Sequence, residues 1–68
     1  MKAVSGKRFC SILESRGWQL RRIHGSHHIY TKDSVSARIS VPVHGNKVLK
    51  VGLQRHLMRL AGVHESDL

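Results

Sequence analysis

Three of the six histidines of this 68-residue chain stand within one short segment, His24-Gly25-Ser26-His27-His28. The glycine lets the backbone adopt a positive φ or approach a ligand closely, and the serine adds a hydroxyl group and a backbone N–H. Imidazole has an ordinary pKa of about 6.5, which suits it to give or take a proton near neutral pH. The segment therefore predicts proton-transfer chemistry at an exposed bend.

The charge of the chain indicates the substrate for such chemistry. The chain has 12 Lys and Arg residues against 4 Asp and Glu residues, a formal charge of +8. So large a surplus in so small a domain favours a polyanionic partner, either nucleic acid or an acidic protein. RNA cleavage needs a base for the 2′-hydroxyl proton, an acid for the leaving 5′-oxygen and cations for the charge on phosphorus. The candidate phosphate contacts are Arg21, Arg22, Lys32, Arg38, Lys47 and Lys50.

The histidines also have structural interpretations. Adjacent residues of a strand point to opposite faces, so only one of His27 and His28 can face solvent. The residue pattern by itself leaves open which of the two that is. His24 and His44 are expected to be ordinary surface or loop residues. The paired cysteines and the spacing of a zinc site are absent, so no metal or other cofactor is expected, and the single Cys10 is predicted to be a buried, inert thiol.

The elements that must position these residues are a helix, three strands and a second helix. The first helix is expected from 6 to 16 with Ser5 as its N-cap, the strands at 18–24, 27–32 and 35–43, and the second helix from 49 or 51 to 61. Leu53, Leu57 and Leu60 are expected on the buried face of the second helix. This order predicts one α+β domain, 1–68, a two-layer sandwich with both helices on one face of an antiparallel sheet.

Three functions fit the residues alone. They are an RNA-cleaving enzyme, a non-catalytic RNA- or DNA-binding module with the topology of the double-stranded-RNA-binding domain, and a domain whose basic face binds an acidic protein. The sequence contains neither a signal peptide nor an apolar run long enough for a transmembrane helix, so a cytoplasmic protein with no membrane partner is expected.

Four segments, taken together, resemble the HicA toxin family. Residues 25–30 are similar to the family's Gly-Ser-His-His-x-aromatic segment, and residues 42–45 resemble its Pro-x-His segment. Residues 5–18 are similar to its first helix, and residues 52–63 resemble its second helix with the Ala-Gly-Val close. One departure is Leu53-Gln54, where the family commonly has a small polar residue followed by leucine.

The resemblance implies a double-stranded-RNA-binding-like fold and an endoribonuclease that cuts messenger RNA independently of the ribosome. It implies that His27, the histidine directly after Gly-Ser, is catalytic, and that Gly25 is the conformational glycine beside it. Ser26 and His28 are expected to support the active site. The resemblance also implies that a HicB-type antitoxin neutralises the toxin in a toxin–antitoxin complex.

Overall fold

Two helices and three strands follow one another in the predicted order in the computed structural model, which describes all 68 residues. The elements are helix α1 (Gly6–Ser15), strands β1 (Gln19–His24), β2 (His27–Lys32) and β3 (Val35–Pro42), helix α2 (Val51–Ala61) and a short 3-10 helix (Glu65–Asp67). The strands form one antiparallel sheet in the order β1-β2-β3. The predicted α+β fold class is therefore confirmed. Neither helix is long and apolar enough to cross a membrane.

Helix α1 begins where the sequence predicts, because its first free N–H groups find a partner. The Ser5 hydroxyl oxygen accepts a hydrogen bond from the Arg8 backbone N–H at 3.0 Å, as an N-cap residue does. The next residue, Gly6, lies directly against the carbonyl oxygen of Pro42, and a side chain there would collide with it. A glycine at this position therefore lets the start of α1 pack against the end of β3.

One apolar cluster joins the two helices to the covered face of the sheet. Its most deeply buried members are Phe9 and Leu13 of α1, Tyr30 of β2, and Ile39 and Val41 of β3. Helix α1 packs on β1 and β3, and α2 packs on β3. Among the strands, β3 therefore contributes most to the core, while every residue of β1 is exposed.

The predicted buried face of α2 is partly wrong. Leu57 is buried and Leu53 is half-buried, but Leu60 is 41% exposed. Gln54 is completely buried, one turn before Met58, which is also buried. The buried face of α2 therefore includes a polar residue that the apolar pattern does not contain.

The N-terminal segment explains why a glutamine is tolerated there. The Gln54 side-chain oxygen accepts from the Val4 N–H at 3.2 Å, and its amide nitrogen donates to the Lys2 carbonyl at 2.7 Å. The Leu49 N–H donates to the Val4 carbonyl at 2.9 Å, next to a bridge between Ser5 and Val48. A buried amide is stable only when it is hydrogen-bonded, and the segment before α1 supplies the partners.

Candidate active site

The first two strands are joined by the two-residue turn Gly25-Ser26. Gly25 has a φ of +60°, whereas Ser26 does not have a positive φ. This is the pattern of a type II′ hairpin turn, which favours glycine at its first central position. The turn makes His24 of β1 and His27 of β2 direct cross-strand partners. The two side chains therefore lie next to each other on one face of the sheet.

The structure separates the two adjacent histidines of β2. His28 pairs with Val41, a buried residue of the covered face, and is itself half-buried. His27 points to the opposite face, which neither helix covers, and is exposed. Strand alternation left open whether His27 or His28 faces solvent. The structure places His27 on the solvent-facing side.

The His27 ring has a polar contact from β3. The Ser40 hydroxyl oxygen lies 3.4 Å from His27 Nδ1, and the backbone partner of His27 in β3 is Pro42. The Val43 N–H donates to the Ser26 carbonyl at 2.8 Å, which ties the turn to the end of β3. Ser40 was not predicted as a site residue, because the sequence alone does not give the register between β2 and β3.

A β-bulge gives β1 two arginines on the same face. The pairing of β1 with β2 shifts between Leu20 and Arg22, so that Arg21 is the extra residue. In regular alternation Arg21 and Arg22 would point to opposite faces, but a bulge sets two residues against one on the partner strand. Both arginines line the same open-face groove as Ile29.

This arginine groove is a shallow depression of about 260 Å³ on the open face, lined by Arg21, Arg22, Ile29, Thr31 and Arg38. The Arg21 Nε donates to the Thr31 hydroxyl oxygen at 2.6 Å, which holds that guanidinium in place. Ile29 stands two residues after His27 on β2, so its side chain is about 7 Å away on the same face. Three of the six predicted phosphate contacts are therefore brought together beside His27.

The other three predicted contacts lie elsewhere. The ammonium group of Lys32 is 6.0 Å from the ring centre of Trp18, a core residue, and it does not line the groove. Lys47 and Lys50 line a second depression of about 340 Å³ together with Pro42 and His44. We call this depression the lysine cleft; it meets the candidate active site at Pro42, the strand partner of His27.

The carboxylates are segregated from both cationic depressions. Glu14 accepts a hydrogen bond from the Tyr30 hydroxyl at 2.5 Å on the covered face. Burial, followed by this hydrogen bond, raises the pKa of Tyr30. Glu65 pairs with the N-terminal ammonium group, and Asp67 pairs with Arg16. Neither the arginine groove nor the lysine cleft is lined by a carboxylate, so both attract anions.

Two further sequence predictions concern reactive and ligating groups. Cys10 is buried, as expected, and burial raises the pKa of its thiol, which keeps the sulfur in its unreactive protonated form. No group of three or more His, Cys, Asp or Glu side chains is arranged to hold a metal ion.

Fold and site together define a small cationic α+β protein that exposes a histidine beside arginines on an open sheet. A family model described as "HicA toxin of bacterial toxin-antitoxin" matches residues 6–63, which include both helices, all three strands and the histidine hairpin. The chain therefore belongs to the HicA family of toxins from bacterial toxin–antitoxin systems, and this membership implies an antitoxin partner. No curated protein matches the chain significantly.

Proposed function

We propose that this toxin is an endoribonuclease that cuts messenger RNA in the cytoplasm, with His27 as a general acid or base. The observation that carries the proposal is the exposed imidazole of His27 on the open face, next to the arginine groove. An imidazole can transfer protons near neutral pH. Guanidinium groups bind phosphate through paired hydrogen bonds. A proton-transfer group and phosphate-binding groups are thus adjacent on one accessible surface.

The reaction is an attack by the RNA on itself. A base takes the proton of the 2′-hydroxyl group, and the 2′-oxygen forms a bond to the neighbouring phosphorus. The bond from phosphorus to the 5′-oxygen breaks, and an acid protonates that oxygen. The products are a 2′,3′-cyclic phosphate and a 5′-hydroxyl end. Arg21, Arg22 and Arg38 stabilise the negative charge that builds on the phosphate oxygens.

Ser40 suits His27 to either half of this reaction. A hydroxyl oxygen can accept a hydrogen bond from a protonated Nδ1. When the ring is protonated on both nitrogens, Nε2–H can act as the acid, and when the ring is neutral with its proton on Nδ1, Nε2 is free to act as the base. The Ser40 hydroxyl at 3.4 Å is thus a positioning group that leaves Nε2 for the substrate.

The remaining predicted residues have supporting roles in this proposal. Gly25 and Ser26 form the turn that holds His27 at the start of β2. His28 packs toward the covered face beside Val41 and supports the strand. Lys47 and Lys50 extend the phosphate-binding surface beyond the end of β3, for nucleotides that flank the cleaved bond.

A HicB-type antitoxin neutralises the toxin in this proposal by covering the open face. The toxin carries a net charge of +8, and no carboxylate lines the arginine groove on that face or the adjoining lysine cleft. An acidic protein surface complements such a face and competes directly with RNA for it. Free toxin would therefore expose His27, and the toxin–antitoxin complex would bury it.

A cleavage assay with single-residue variants tests the proposal. Purified wild-type protein is incubated with a labelled messenger RNA fragment, in parallel with His27→Ala and His28→Ala. We expect the wild-type protein to produce new fragments and His27→Ala to produce none, while His28→Ala retains cleavage if it remains folded. Retardation of the RNA in a gel without any fragments would instead identify a non-catalytic nucleic-acid-binding module.

The same assay examines the metal requirement. Because the proposed acid–base chemistry uses side chains of the protein, wild-type cleavage is expected to continue in excess EDTA. Loss of cleavage in EDTA, restored by a divalent cation, would contradict this mechanism.

A further inference from the structure

We propose that His24 is the second proton-transfer group of the active site and acts together with His27; this inference rests on the proposed ribonuclease function. The residue pattern alone predicts that His24 is an ordinary surface residue. The register makes it the direct partner of His27 across the β1–β2 hairpin, and both residues are exposed. Phosphodiester transfer needs two proton transfers, and this pair provides two imidazoles.

The spacing of the pair suits a phosphate group. Side chains directly opposite each other in an antiparallel sheet have Cβ atoms about 5 Å apart. From that separation two imidazole rings can reach the 2′-oxygen and the 5′-oxygen of one phosphodiester, which lie on either side of its phosphorus. The two-residue turn Gly25-Ser26 fixes the separation, since it leaves no intervening residue to loosen the pair.

The groups around His24 leave few other candidates for the second transfer. From β1, Arg22 shares its face, but a guanidinium group stays protonated and cannot exchange protons. From β2 the neighbour is His27 itself, and from β3 the partner of His27 is Pro42. The helices pack on the opposite face. His44, beyond Pro42 in the lysine cleft, is the remaining imidazole near this end of the sheet.

The protons balance when the two rings start in opposite states. The neutral ring takes the 2′-hydroxyl proton as the 2′-oxygen bonds to phosphorus. The protonated ring gives its proton to the departing 5′-oxygen. The two rings end with exchanged protonation states, and exchange with water restores them. The rate therefore depends on one ring being neutral and the other protonated, which gives a bell-shaped profile against pH.

A simpler role for His24 would be a positive charge that binds phosphate. Two variants distinguish the roles: His24→Asn removes both the charge and the proton, and His24→Lys restores a charge that does not titrate near neutral pH. We expect both variants to cleave RNA about 10²-fold to 10⁴-fold more slowly. Both are expected to bind a non-cleavable 2′-deoxy analogue within about threefold of the wild-type affinity. Wild-type cleavage by His24→Lys would overturn the proposal.

The pH profile and a matched control complete this experiment. The wild-type profile is expected to be bell-shaped, and the His24→Asn profile is expected to keep only one limb. His56→Asn changes an exposed histidine of α2, far along the chain from the hairpin, and is expected to leave rate and profile unchanged. A one-limbed profile in His44→Asn, together with an intact bell in His24→Asn, would assign the second transfer to His44 and overturn the proposal.

A modified substrate separates the acid from the base. An RNA with sulfur in place of the 5′-bridging oxygen has a leaving group that needs no protonation. The variant that lacks the acid should therefore cleave this substrate at nearly the wild-type rate, and the variant that lacks the base should not. We expect rescue of one of His24→Asn and His27→Asn. Rescue of both or of neither would contradict paired action.

Failure of this inference is distinguishable from failure of the proposed function. If the wild-type protein does not cleave RNA, the ribonuclease proposal fails, and the proposed role of His24 fails with it. If the wild-type protein cleaves, His27→Ala does not, and His24→Asn cleaves at the wild-type rate, only the role of His24 is wrong. Circular dichroism spectra and thermal melting of each variant show whether the fold is intact.

Discussion

The two faces of the same three-stranded sheet have opposite chemistry. On the covered face, Tyr30, Ile39 and Val41 are almost completely buried against the helices. On the open face, His27 of β2 and Ser40 of β3 are exposed. They alternate along these strands with residues that point to the covered face. A shift of one residue along a strand thus moves from a position that stabilises the fold to one that is open to solvent.

Because the two faces differ in this way, stability and the proposed activity can be altered separately in a very small protein. A 68-residue domain has a thin core, so each buried side chain carries a large share of its free energy of unfolding. The open-face residues contribute little burial and can be selected for chemistry. The substitutions below test that separation.

The largest expected effect on stability comes from Ile39 in β3, and the adjacent residue Ser40 serves as its control. Ile39→Ala leaves a cavity in the covered layer and is expected to lower the free energy of unfolding by about 3 kcal/mol. Ser40→Ala, on the open face, is expected to change it by less than about 0.5 kcal/mol. Urea unfolding followed by circular dichroism measures both values. Equal effects for the two variants would mean that the faces are not distinct.

Gln54 tests the polar contact within the core. Gln54→Ala leaves the Val4 N–H without its partner and is expected to cost about 2 kcal/mol. The neighbouring exposed residue provides the control, because Arg55→Ala removes no buried contact and should stay within about 0.5 kcal/mol of the wild-type protein. Comparable urea midpoints for wild type and Gln54→Ala would show that the N-terminal segment is not held in this way.

The arginine groove tests the open face without changing the fold. Arg22→Ala is expected to weaken RNA binding by about 1 kcal/mol, or roughly fivefold. It should also lower the slope of log affinity against log salt concentration by about 0.7 for single-stranded RNA, as the loss of one phosphate contact does. Titrations at several salt concentrations measure both quantities. Arg55→Ala on α2 has the same change in charge, and an equal loss in that variant would show that net charge rather than the groove binds RNA.

Tyr30 gives the smallest expected effect and a pH dependence. Tyr30→Phe keeps the packing but removes the hydrogen bond to Glu14, at a cost of about 0.5–1 kcal/mol near pH 7. The folded state raises the pKa of Tyr30, so this contribution is complete below the unfolded value of about 10 and declines as the pH rises above it. Urea unfolding near pH 7 and again above the unfolded pKa of about 10 should therefore show that the difference in free energy of unfolding between wild type and Tyr30→Phe becomes smaller in alkali. A constant difference would contradict the assignment.

Most of the fold could be predicted from the sequence, because the elements are marked by local signals. The alternation of apolar residues indicated β3, Ser5 marked the start of α1, and the bounds of β2 are those predicted. The face of α2 could not be predicted. Gln54 is buried because backbone groups about 50 residues away bond to it, and no local pattern contains that information.

The sequence predicts His27 and the arginines of the candidate site, but not Ser40, the role of His24 or the arrangement of these residues. Strand alternation leaves His27 and His28 as the candidates for the exposed histidine. The resemblance of the Gly-Ser-His-His segment to the family selects His27. Three features depended on register. They are the bulge that brings Arg21 and Arg22 together, the approach of Ser40, and the pairing of His24 with His27. Register follows from turn geometry and packing across strands, which single-residue patterns do not record.

The most direct test measures stability and cleavage on the same preparation of His27→Ala. If His27 acts on the open face as proposed, the cleavage rate falls by at least about 10²-fold. The free energy of unfolding should stay within about 0.5 kcal/mol of the wild-type value, since the side chain is exposed. Cleavage of RNA by folded His27→Ala at the wild-type rate would contradict the proposed role of His27.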